Sequence, residues 1–237
     1  MNILAAAVTK NRKGKHDGDE FAREAMAFAK YHNEESNVTT ALYSTPKKPA
    51  YEALCANLSE FHGNLDVLAI FGHGTSRGLP GFALNTSNIG AFADALIGAC
   101  GDKITILLYC CLTGRGHYLM QRKRRNEGDR IRSAENVDHR EGFAMLLTAE
   151  LAKRGVTATV YAHLTSGHTT INPFKVRCSS SWFMTCPDST DPTIQVTRKK
   201  IVQPYGATWK HWMERMEGPD RFGYWTRPRL DNSEYYR

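Results

Sequence analysis

The chain lacks any apolar stretch of membrane-spanning length. Its first residues also lack the charged start, apolar core and cleavage site of a signal peptide. Both absences lead to the expectation of a cytoplasmic protein with no membrane partner. Cysteine is sparse: Cys55, Cys100, Cys110, Cys111, Cys178 and Cys186 form no Cys-x-x-Cys pair and are too few for a disulfide scaffold. Free thiols in a reducing compartment are the simpler reading. Basic charge is also missing from most of the chain, although the net charge is +7. Residues 112–140 carry eight Lys/Arg against four Asp/Glu, and residues 198–237 carry nine against five, so the remainder is close to neutral. The excess belongs to one insertion and one tail, which argues against a surface generally coated by nucleic acid.

What is present is an alternation of strands and helices. With 237 residues the chain can bury a substantial core as one large domain or a domain with an appendage. Short apolar strands are expected over residues 2–8 and 39–43. Helices are expected over 19–32, where Asp19 suits the cap, and over 50–61, after Pro49. A Gly- and Pro-punctuated loop over 74–81 and a helix over 89–100 follow. A helix over 141–154 stops at Gly155, and a strand runs over 156–162. Such alternation implies βαβ units around a mainly parallel sheet flanked by helices, an α/β fold. Beyond residue 166 the pattern weakens to candidate strands over 175–183 and 193–202. An aromatic, basic tail with Trp209, Trp212, Tyr224 and Trp225 is best read as packing.

Two runs stand out. Asp66-Val67-Leu68-Ala69-Ile70-Phe71-Gly72-His73-Gly74 and Lys103-Ile104-Thr105-Ile106-Leu107-Leu108-Tyr109-Cys110-Cys111-Leu112-Thr113-Gly114 are continuously apolar, as in parallel strands buried on both faces. Ligands bind beyond the carboxyl ends of such strands. An imidazole at one tip and a thiol at the next are therefore laid out as a nucleophile with its base. Strand alternation points Cys110 away from Cys111, into packing. By default, Cys55 and Cys100 are inert core thiols, and His32, His62, His163 and His211 are structural.

Phe71-Gly72-His73-Gly74 resembles the metacaspase Ser-Gly-His-Gly. Tyr109-Cys110-Cys111-Leu112-Thr113-Gly114 resembles the metacaspase Asp-Cys-Cys-His-Ser-Gly and the Ser-Ala-Cys-x-Thr-Gly of bacterial CHAT proteases. The chain is thus similar to the caspase-like (clan CD) cysteine peptidases over roughly residues 1–175, with bacterial or phage-related members the nearest in kind. The resemblance implies a caspase-hemoglobinase-like sandwich with a C-terminal extension over 176–237. It also implies an endopeptidase in which Cys111 is the nucleophile and His73 the acid/base. The backbone N–H groups of Gly74 and Cys111 would form the oxyanion hole. Glycine at 74 would let the backbone approach a substrate. Specificity would reside in Arg12, Asp17 and Asp19 after the first strand, and in Tyr109. Tyr109 stands where metacaspases carry a carboxylate that selects Lys or Arg. The basic insertion leans the reading towards Arg or Lys substrates.

A phosphatase loop needs Cys-x5-Arg, but Gly116 and His117 occupy the required positions. Zinc ligation by His163, His168, Cys178 and Cys186 matches no standard spacing, so no metal is expected. The insertion Gln121-Arg122-Lys123-Arg124-Arg125 is read as a processing or gating loop, or as a solvated one. It carries too few aromatics for base stacking, which disfavours nucleic acid as a partner. By resemblance, protein substrates are expected, and an antiviral or cell-death effector role would fit. No cofactor is needed for the chemistry, whereas a nucleotide-like small-molecule activator or a regulatory partner would suit such an effector. An inactive caspase-like scaffold and a nucleic-acid-binding module using the insertion are the alternatives.

Overall fold

The computed structural model describes residues 1–9, 20–33, 36–114, 142–163, 175–179 and 183–186. Its centre is a seven-stranded sheet built from β1 (Asn2–Val8), β2 (Asn37–Tyr43), β3 (Val67–Gly72), β6 (Lys103–Cys110), β7 (Thr157–His163), β8 (Lys175–Ser179) and β9 (Phe183–Cys186). The order is β2-β1-β3-β6-β7-β8-β9. The first five strands are parallel, and the last two run antiparallel. A separate two-stranded hairpin, β4 (Gly78–Leu79) and β5 (Leu84–Asn85), occupies the loop after β3. Helices α1 (Glu20–His32), α2 (Lys48–Ser59), α3 (Ile89–Cys100) and α4 (Phe143–Lys153) connect the strands.

Strands β1 and β3 are apolar almost throughout because both faces of the sheet are covered there. On one face, Ile3, Ala5, Ala7, Val67, Ala69, Phe71, Leu107 and Tyr109 pack under Phe21, Ala25 and Phe28 of α1. Spacings of three and four residues put those three side chains on one helical stripe. On the other face, Leu4, Ala6, Leu68, Ile70, Ile106, Leu108 and Cys110 meet the buried sides of α2, α3 and α4. Odd and even residues of each strand thus enter different cores, as the period of two requires.

Most expected elements recur with shifted ends. Helix α2 starts at Lys48, with a proline in its first turn where no amide is needed. Gly155 follows α4 at φ 82, a left-handed stop. The loop over 74–81 holds β4 rather than irregular chain throughout. The single strand expected over 175–183 is two, β8 and β9, paired antiparallel. Strand β8 joins the sheet antiparallel to β7. The Asp19 cap, the strand expected over 193–202 and the aromatic tail lie outside the described residues.

His32 closes α1 from inside the fold. It is 6% exposed and its ring lies 4.5 Å from that of Phe28. Burial disfavours the charged imidazole and lowers its pKa to about 4. The unfolded chain therefore takes up the proton first as the pH falls. Stability should be level above the ordinary histidine value of about 6.5 and drop, by on the order of 3 kcal/mol, between there and about pH 4. Urea denaturation across this range should show the loss in wild type and a flatter profile in His32→Phe.

Candidate active site

Going from β1 to β2 and then to β3 takes the chain to opposite sides of β1, and in open α/β sheets such a reversal marks the carboxyl-end rim of β1 and β3 as the usual ligand position. His73 stands at that rim. The parallel register pairs Phe71 with Tyr109 and Gly72 with Cys110, so the next positions beyond the ladder are His73 and Cys111. Neighbouring strands lie about 4.8 Å apart, which makes these residues direct neighbours along the backbone. His73 is exposed and Cys111 partly exposed. The Phe21 ring meets His73 edge-on at 5.0 Å, which puts the imidazole on the α1 face of the sheet.

The vicinal cysteines divide as alternation demands. Cys110 is fully buried against α2–α4, and its Sγ lies 3.4 Å from the Ile70 carbonyl oxygen. Burial, then the neighbouring Cys111 and the Glu24 carboxylate, push its thiol well above the usual range. The chain turns sharply just after Cys111, with Leu112 in the left-handed region at φ 61. A non-glycine residue held there marks a locally over-determined backbone. The Thr113 hydroxyl donates to the Cys110 carbonyl at 3.0 Å and helps to hold the turn.

Glycine at 74 has a packing reason in the structure. A Cβ there would lie 2.8 Å from that of Cys110 and well inside contact with the Cys111 carbonyl oxygen. The missing side chain lets the two strand tips close on each other. The first turn of α4 then ties both loops. The Phe143 N–H donates to the Ser76 carbonyl at 3.1 Å, and the Ala144 N–H to the Thr113 carbonyl at 3.0 Å. These are amides that a helix start leaves without intrahelical acceptors, and α4 has no side-chain cap. The Gly114 N–H donates to the His163 carbonyl at 2.9 Å, pinning the same loop to β7.

Tyr109 does not meet the expectation of substrate contact. It is fully buried, stacked on Phe71 at 4.7 Å with planes 6° apart, and faces the Phe28 ring at 6.0 Å. An aromatic ring two positions before the tip falls on the α1 face, where it belongs to the core. Arg12, Asp17 and Asp19, like the insertion over 115–140, lie outside the described residues. His163 is fully buried at the end of β7, its ring 6.2 Å from Tyr109, in keeping with a structural role.

Sequence reading missed two neighbours of the site, Phe21 and Glu24. Phe21 was legible only as core. Glu24 carried a signal: it is an acidic residue inside the apolar stripe of α1, and it is 1% exposed. A recess of about 280 Å³ lined by Asn2, Asn37, Asn57 and Phe61 lies at the opposite, amino end of the strands, with no thiol or imidazole in its lining. Among the described residues no helix is long and apolar enough to cross a membrane, and no cluster of His, Cys, Asp and Glu could hold a metal ion.

Two glycines near the site should respond differently. Gly72→Ala meets nothing within 4 Å and should leave the melting temperature nearly unchanged, whereas Gly74→Ala forces the tips apart. Thermal melts of the pair should show a loss of about 1–3 kcal/mol for Gly74→Ala alone. Comparison of the chain with protein-family models, curated proteins and solved structures finds no match.

Proposed function

We propose that this protein is a caspase-like cysteine endopeptidase in which Cys111 attacks a peptide carbonyl and His73 relays the proton. The observation that carries the reading is the placement of His73 and Cys111 one step beyond the Gly72–Cys110 pair, on adjacent parallel strands at an open rim. The thiol proton passes to the imidazole as the sulfur–carbon bond forms. The imidazole returns it to the leaving amine as the carbon–nitrogen bond breaks, and water then hydrolyses the thioester. The N–H groups of Gly74 and Cys111 are the proposed donors to the developing oxyanion. The central parallel sheet with helices on both faces agrees with the caspase-hemoglobinase-like architecture. Cleavage after Arg or Lys is the proposed preference, with the insertion itself the nearest substrate. Release of this activity by a nucleotide-like or protein signal would suit an antiviral effector.

The test is the intact mass of wild type beside Cys111→Ala and Cys110→Ala, incubated with and without cell extract. Cuts within 114–140, or in extract proteins, should occur in wild type and Cys110→Ala and fall by at least about 1,000-fold in Cys111→Ala. Cutting that survives Cys111→Ala, or no cutting by any of the three, would favour a scaffold.

A further inference from the structure

A buried carboxylate needs a reason. Glu24 is 1% exposed on a helix stripe whose other members are Phe21, Ala25 and Phe28, and acidic side chains are almost never so buried without a charged or hydrogen-bonded setting. Its position is fixed from both sides. One turn before it, the Phe21 ring touches His73 at 5.0 Å. One turn after it, the Phe28 ring lies against Phe71 at 5.6 Å and Tyr109 at 6.0 Å. Phe71 and Tyr109 are the residues two positions before His73 and Cys111, on the same face of the sheet. Helical side chains lean towards the amino end of their helix. The Glu24 carboxylate therefore leans towards Phe21 and the rim. The Glu24 carboxylate is also among the causes that hold the Cys110 thiol above the usual range, after burial and the neighbouring Cys111.

We infer that Glu24 is a positioning residue for the His73–Cys111 pair, its carboxylate held by α1 above the two strand tips so as to favour the charged imidazole formed when Cys111 gives up its proton. The inference rests on the dyad reading above. A negative charge at this place has two opposite effects. It favours the imidazolium, which raises the thiolate population, and it repels the thiolate directly, which lowers it. The first effect requires His73 and the second does not, so a double-mutant cycle separates them.

The readout is the rate at which iodoacetamide alkylates Cys111 at neutral pH, followed by peptide mass spectrometry in the full chain. This needs no knowledge of the substrate. Glu24→Gln should slow Cys111 roughly three- to tenfold when His73 is present, and leave it unchanged or faster in the His73→Ala background. Glu24→Asp, which keeps the charge, should recover most of the rate. Equal slowing in both backgrounds, or an Asp variant as slow as Gln, would reduce Glu24 to a packing residue and overturn the inference. An unchanged rate in Glu24→Gln would overturn it too, and would fit a carboxylate that only contacts substrate. If His73→Ala alone left Cys111 as reactive as in wild type, the dyad reading would fall and this inference with it. If Glu24→Gln lost the native circular-dichroism spectrum, Glu24→Met would take its place in the same cycle, and slowing confined to the His73 background would support the role while equal or absent slowing would refute it.

Discussion

The constraint on which the rest depends is the contact between the tips of β3 and β6 at Gly74. The backbone of one strand lies so close to the Cys110–Cys111 peptide of the other that only a residue without a side chain fits. That closeness leaves His73 and Cys111 no choice but to be neighbours. The hydrogen bonds from the first turn of α4 to Ser76 and Thr113 then hold both loops from a third direction. The proposed dyad depends on such fixing, since a nucleophile and its base act only in a defined geometry, and here it is backbone atoms that hold the two tips together.

Parity along the strand decides which thiol is which. Both faces of the sheet are buried, so a strand residue enters one core or the other according to its place in the alternation. Cys110 goes with Ile106 and Leu108 into the larger core, where burial keeps it protonated and inert. Cys111 stands beyond the last ladder pair, where the left-handed Leu112 turns the chain away and leaves the sulfur partly open. The same parity that sends Cys110 inward puts Tyr109 under α1, which is why a residue adjacent in sequence to the reactive pair takes no part at the rim.

Much of this was legible in the residues. Continuous apolar runs ending in His73-Gly74 and Cys111 announced adjacent buried parallel strands, because only two-sided burial tolerates such runs. The split of Cys110 from Cys111 followed from the period of two. Two things did not follow. The reason for Gly74 lies in a tertiary approach between segments far apart in sequence, and no local pattern reports that. Tyr109 was assigned by its place in a motif rather than by its place on the sheet, and the stacking on Phe71 shows which one decides. Glu24 was visible as a charge within an apolar stripe, yet its meaning depended on knowing that α1 covers the β3 and β6 ends.

The anchoring of the two loops has a consequence for how this chain can vary. Gly114, the last described residue before the basic segment, is bound to the His163 carbonyl, and Phe143, just after it, is bound to the Ser76 carbonyl. Whatever joins them starts and finishes at fixed points beside the strand tips. Closing a longer flexible loop between fixed points costs only about 0.6 kcal/mol for each doubling of its length. A change in the length or charge of the intervening sequence therefore leaves these anchors, and the close approach of the two strand tips at Gly74, where the sheet has set them.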